Sequence, residues 1–189
     1  MNQTSFYTQQ ELAEIGFKSC GENVKISRKA SLYSVSEISV GNNVRIDDFC
    51  IISGKIELGD YIHISAYTGL FGGETGIICE DYVTISSRCV IYAESDDYSG
   101  AGMTNPTIPD EFRNVSKGKV LMKKFSIAGS GTTILPGVTV GEGASVGAMS
   151  LVNKNLDEWQ MYAGIPVRCL RPRKRDMLEK ERCFRQRES

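Results

Sequence analysis

An apolar residue returns every six positions along most of this chain. The first series is Val40, Ile46, Ile52, Leu58, Ile64 and Leu70. It resumes with a three-residue offset at Cys79, Ile85 and Ile91, and again as Met122, Ala128, Ile134, Val140, Val146 and Val152. Small or β-branched residues tend to follow four places later, as at Val44, Cys50, Ile56 and Ile62, and later at Ser126, Thr132 and Val138. Small or polar residues often sit directly after the repeating position, as at Gly41, Asp47, Gly59 and Gly129. Such spacing is neither helical nor a plain strand alternation. It fits short strands joined by tight corners, each hexad forming one flat side of a coil with its first and fifth residues inward. The corner needs a small residue because backbone there is left-handed or crowded. Three hexads close a triangular turn, and stacked turns bury a continuous core. The run of equal intervals in both halves separates this chain from an ordinary β-sandwich.

The rest of the chain is organised around these coils. A single domain over 1–189 is expected, with the solenoid at about 20–152. Thr8 and Glu11 have capping-box spacing, Leu12 and Ile15 form an apolar stripe, and Gly16 ends a short helix over 8–15. Between residues 94 and 119 the period disappears, and an excursion this long inside a compact domain is commonly functional. Tyr98, Phe112 and two prolines in it predict an ordered loop that packs on a neighbour. The tail, 171–189, is strongly charged and predicts a solvated C-terminal helix. Lys and Arg number 22 against 23 Asp and Glu, which excludes bulk electrostatic binding of nucleic acid or an anionic membrane. No apolar run reaches the length of a signal peptide or a membrane span, so a soluble cytoplasmic protein is expected. Six cysteines fit no metal-ligand spacing; four of them, Cys20, Cys50, Cys79 and Cys89, fall at inward positions, as small buried hydrophobes do.

The run from Ile134 to Val152, with Asn153-Lys154 and then Gly164-Ile165-Pro166-Val167-Arg168, strongly resembles the hexapeptide-repeat acyltransferases. Within them it is most similar to the galactoside and maltose O-acetyltransferase branch and to sugar acetyltransferases of surface-polysaccharide pathways. The resemblance covers nearly the whole chain. It implies an all-β, left-handed parallel β-helix and a homotrimer with an active site at each subunit boundary. Acetyl-CoA is the implied co-substrate, lying along a groove between two prisms, with a small sugar as acceptor. The positions matching the family's CoA contacts are Ser130, Ala148, Asn153, Lys154, Arg168 and Arg171. Small residues let a pantetheine arm approach backbone, and Lys or Arg holds phosphates through charge-assisted hydrogen bonds. The γ-type carbonic anhydrases share such a solenoid but need three imidazoles for their metal. This chain has one histidine, so no metal is expected.

The chain departs from the resemblance at the base. In the galactoside and maltose enzymes a loop His takes the acceptor proton; here the matching position is Asp96. A hydroxyl needs a base during attack, and His suits neutral pH. Three readings follow. The lone His63 is the base, oriented by Asp96 or Asp97; or Asp96 is itself the base; or none is required because a sugar amine attacks directly, which makes the reaction an N-acetylation. Glu94, Asp48, Tyr67 and Asn105 are the candidate acceptor contacts. A non-enzymatic scaffold is the competing reading, opposed by the long excursion and the Gly-Ile-Pro-Val-Arg ending.

Overall fold

The computed structural model describes residues 5–188 and is a left-handed parallel β-helix with a triangular cross-section. One face holds the strands Ser19–Cys20, Ile38–Val40, Ile56–Leu58, Ile77–Cys79, Val120–Met122 and Thr139–Val140. The second begins at Lys25–Ile26, includes Arg45–Ile46, His63–Ile64 and Thr84–Ile85, and ends with Gln160–Ala163 and the antiparallel Arg168–Pro172. The third runs from Ser31–Tyr33 through Ile51–Ser53, Gly69–Phe71, Val90–Tyr92 and Thr133–Ile134 to Leu151–Val152. Like residues stack in register: Ile64 pairs with Ile46 on one side and Ile85 on the other. Apart from Cys20, every first-position and fifth-position residue named above is buried, which gives one continuous core along the prism axis. Cys50, Cys79 and Cys89 lie in that core; Cys20 is only partly buried, and Cys169 and Cys183 are exposed.

The corners divide their two demands between different positions. The residue after the inward one is glycine at several corners because the next coil crowds it: a Cβ on Gly41 would come within 2.5 Å of Gly59 O. The left-handed residue comes two places later and is often large. Tyr61, Tyr82, Phe125 and Trp159 hold φ between 54° and 61° along the edge between the first and second faces. Phe49, Tyr67, Arg88 and Met149 do the same between the second and third, with φ between 56° and 64°. L-residues avoid this region unless the surroundings hold them there, and here the backbone ladder of the flanking coils does so: Tyr67 N donates to Asp48 O, and Arg88 N to Ala66 O.

Helix α1 (Gln9–Ile15) has the predicted capping box, Thr8 with Glu11, and Leu12 joins the core. Helix α2 (Met177–Glu188) is mostly exposed, as its charge predicts, with Met177, Leu178 and Glu181 partly covered. It docks on the first edge, where Tyr61, Tyr82 and Phe125 stack at centroid distances of 5.0 and 5.1 Å. Phe184 meets Tyr61 edge-on, and Glu181 pairs with Lys124 at 2.7 Å. Arg173, just before α2, donates through Nη1 to Phe125 O and Gly143 O, both at 2.9 Å.

The three-residue offset in the repeat is a widened corner between Phe71 and Ile77. It supports the long excursion. Glu74 N donates to Glu94 Oε1, and Lys117 binds Glu74 at 2.6 Å. The excursion is ordered by its own short antiparallel pair, Glu94–Ser95 with Ser116–Lys117.

Candidate active site

The excursion roofs a cavity of about 880 Å³ against the third face. Its floor is Thr133 and Leu151, register partners on adjacent coils, with Leu135, Pro136 and Asn153 at the corner that follows. Tyr92 and the start of the excursion, Glu94 to Ser99, form the wall. The cavity is apolar below and acidic above, the combination that seats an organic group and orients its polar end.

The three wall acids are not equivalent. Glu94 Oε1 accepts the Glu74 amide at 2.8 Å and lies 3.8 Å from Lys117. Asp97 accepts the amides of Ser99 (2.8 Å) and Gly102 (3.0 Å). Hydrogen bonds from the Ser99 side chain and amide, with those of the Gly102 and Ala101 amides, lower its carboxyl to about 2. Asp96 is held more loosely: the Asn105 amide is 3.4 Å from one oxygen and Arg113 Nη2 is 3.5 Å from the other. Arg113 spends its shorter contact, 2.9 Å, on Asp110. The Asn105 side chain turns back on its own segment, accepting from Thr107 N and Oγ1.

His63 is elsewhere. It projects from the second face, and Nε2 lies 2.8 Å from Asp47 Oδ2. The carboxylate that meets it is therefore Asp47, rather than Asp96 or Asp97. Arg45 Nε donates to the other Asp47 oxygen at 2.7 Å. Burial raises the Asp47 carboxyl, but the hydrogen bonds from His63 and Arg45 outweigh it and hold it low. The sequence reading missed Asp47, although the register contains it: Arg45 lies beside His63 on the neighbouring coil, and Asp47 is two residues on.

The remaining expected contacts fall into three places. Asn153 lines the cavity, and Lys154 follows it, exposed. Ser130 and Ala148 are exposed on the opposite edge of the third face, and Arg168 and Arg171 on the antiparallel strand of the second. Within one chain Ser130, Ala148 and Arg168 stand together, since Met149 N donates to Ser130 O and Arg168 pairs with Ala163 beside Gly147, while Asn153 and Lys154 lie across the third face from them. Asp48 accepts from Ser27 and Lys29, which hold its carboxyl low, and Tyr67 stands exposed on the edge between the second and third faces. Among the described residues no cluster of three or more His, Cys, Asp or Glu side chains is placed to hold a metal ion, and no helix is long and apolar enough to cross a membrane.

No family model matches the chain. It is 44% identical over 184 residues to the dTDP-4-amino-4,6-dideoxy-D-glucose acyltransferase of Escherichia coli, covering 96% of this chain and 95% of that protein. It is 26% identical over 135 residues to WbbJ of Escherichia coli K12, named for lipopolysaccharide O-acetyl transfer, covering 69% and 66%. Its fold superposes on AntD, an N-acyltransferase from Bacillus cereus, with a TM-score of 0.96 and 53% identity over 97% of this chain and 99% of that one. That structure is a variant in complex with dTDP-4-amino-4,6-dideoxyglucose and coenzyme A; another, with TM-score 0.97, holds dTDP and 3-hydroxybutyryl-CoA.

Proposed function

The chain belongs to the hexapeptide-repeat sugar acyltransferases, and from that membership we propose that it moves an acyl group from acyl-CoA to the amine of a nucleotide-linked amino sugar. The acceptor is a dTDP-4-amino-4,6-dideoxyglucose or a close isomer. The product serves surface-polysaccharide synthesis in the cytoplasm, and the working form is a homotrimer. The observation that carries this reading is the cavity: apolar floor, carboxylate wall, and the single imidazole on another face. A neutral amine attacks first and gives up its surplus proton afterwards, which a carboxylate can take, whereas a hydroxyl needs its proton removed during attack, the work suited to an imidazole.

In this reading the neutral sugar amine attacks the thioester carbonyl. The new C–N bond forms as the carbonyl pair moves to oxygen. Collapse of that intermediate breaks the C–S bond and expels the CoA thiolate. Asp96 takes the surplus amine proton, which then neutralises the thiolate, leaving an amide and free CoA. Glu94 and Asp97 hold the wall in shape. The CoA arm runs past Ser130 and Ala148 of one copy, where small side chains expose backbone. Asn153, Lys154, Arg168 and Arg171 meet its polar groups and phosphates. Asn153 and Lys154 lie across the third face from Ser130, Ala148 and Arg168, so a groove between copies unites the two groups.

A hydroxyl acceptor is the second reading, favoured by the His63–Asp47 pair at 2.8 Å. The deciding assay follows free thiol release with acetyl-CoA or 3-hydroxybutyryl-CoA and dTDP-4-amino-4,6-dideoxyglucose. Release that depends on the amino sugar is the expected result. Equal turnover with the 4-hydroxy analogue would sink the amine assignment.

A further inference from the structure

Two cations of the excursion have different duties. Lys117 pairs with Glu74 at 2.6 Å and reaches Glu94 at 3.8 Å, which ties the wall to the widened corner. Arg113 stands between Asp96 and Asp110. Its Nη1 donates to Asp110 Oδ1 at 2.9 Å, and its Nη2 lies 3.5 Å from Asp96 Oδ1. The Arg113 side chain is 17% exposed, that of Asp96 38% and that of Asp110 96%. Nε is buried and meets no acceptor among the described residues. The chain doubles back to put Arg113 there. Asp110–Phe112 form one 3₁₀ turn, and Arg113 N donates to Asp110 O at 3.0 Å. Met103 N donates to Phe112 O at 2.8 Å, and Met103 pairs with Arg113 as an isolated bridge. On the outgoing limb Asp97 accepts the Gly102 amide, and a Cβ on Gly102 would come within 2.5 Å of Asn114 N, next to Arg113. The segment bearing Arg113 is thus held, backbone to backbone, against the segment bearing the wall acids.

An ion pair with a carboxylate as exposed as Asp110 stabilises a fold little, yet the guanidinium is largely buried with one donor unmet, which costs stability. A cation kept on such terms is placed for its field, and the carboxylate it faces in the cavity wall is Asp96. A full charge-assisted hydrogen bond, at about 2.7–2.9 Å, would stabilise the Asp96 anion and weaken it as a proton acceptor. At 3.5 Å, Arg113 attracts the carboxylate and limits its rotation without filling a lone pair. The other oxygen is met as loosely, by Asn105 N at 3.4 Å. We propose that Arg113 is a positioning residue for Asp96: its charge aims the carboxylate into the cavity, and the surface acid Asp110 holds the guanidinium back, so that an Asp96 lone pair stays open to the amine proton. This rests on the reading of Asp96 as the proton acceptor. The proton keeps the route given above, from nitrogen to Asp96 to thiolate, and Arg113 takes no part in the transfer.

The test measures kcat and KM by thiol release, with acetyl-CoA or 3-hydroxybutyryl-CoA and dTDP-4-amino-4,6-dideoxyglucose, for Arg113→Gln, Arg113→Lys and Asp110→Asn, each alone and combined with Asp96→Asn. Arg113→Gln should lower kcat about tenfold, less than loss of the base itself, with the KM for acyl-CoA unchanged. Arg113→Lys should recover part of that loss, because the charge returns without the fork. Asp110→Asn should lower kcat about threefold, as the freed guanidinium closes on Asp96. Beside Asp96→Asn, all three changes should cost less than about twofold, since the group they act through is gone. Equal losses in both backgrounds would make Arg113 a strut of the excursion and sink the proposal; so would an Arg113→Lys enzyme no better than Arg113→Gln. Asp110 is exposed, so if Arg113→Gln unfolds, Asp110→Asn decides alone. An unchanged kcat then overturns the proposal, and a fall that vanishes beside Asp96→Asn upholds it. If Asp96→Asn by itself turns over as the wild type does, the proton-acceptor reading falls, and this inference with it.

Discussion

Asp96 differs from its neighbours by how little of it the fold consumes. Asp97 gives both oxygens to loop amides and Glu94 gives one to the widened corner, while the two contacts of Asp96 are at 3.4 and 3.5 Å. A group free to take a proton is worth about 10²–10⁴ in turnover. Asp96→Asn should therefore lower kcat with the amino sugar into that range while leaving the CoA affinity unchanged, as read by thiol release and calorimetry. His63→Ala should leave amine acylation close to wild type; a collapse of turnover would return the chemistry to the imidazole. The lowered Asp97 carboxyl makes a statement about pH. Its unfolded value is near 3.8 and its folded value about 2, so its contribution is fully present above the unfolded value and is lost as pH falls through the folded one. The difference in Tm between wild type and Asp97→Asn should be present at neutral pH and shrink between about pH 4 and pH 2.

At the scale of elements, the first edge is fastened by a partly buried cation. Arg173 satisfies two corner carbonyls, those of Phe125 and Gly143. Arg173→Ala leaves them unmet and should cost about 1–3 kcal/mol in urea unfolding. If stability were unchanged, the two Arg173 contacts would be dispensable for the edge. Helix α1 was legible in the sequence because its signal is local: a capping box needs only Thr8 and Glu11. The aromatic column was not, because its members recur once per coil while the coils differ in length. Tyr61 and Tyr82 are separated by the widened corner, and Tyr82 and Phe125 by the whole excursion, so no fixed residue period connects them. The His63–Asp47 pair was hidden otherwise: its coils are regular and in register, but the acids of the excursion masked the one on the neighbouring coil. The three-residue offset was visible, but its purpose as a buttress for Glu94 and Lys117 emerges only from the contacts.

At the scale of the whole molecule, the repeat fixed the prism and the excursion marked the cavity, since both are written in spacing. The grouping of Ser130, Ala148 and Arg168 was not, because Arg168 reaches the others only through the antiparallel return of the last strand. Sedimentation should give three times the 20.8 kDa chain mass, and acyl-CoA at a hundredfold its Kd should add about 2.7 kcal/mol of native-state stability, visible as a rise in Tm. A monomer that binds CoA at full affinity would refute the shared groove. The chain has a single tryptophan, Trp159, 3% exposed, 6.3 Å from Phe125 and under the Arg175 guanidinium at 5.2 Å. In a solenoid each coil senses only its neighbours, so the emission of this one indole is a local optical gauge of the last coil. It will shift and quench when the tail lifts away, while circular dichroism, which averages all coils, still registers an intact prism.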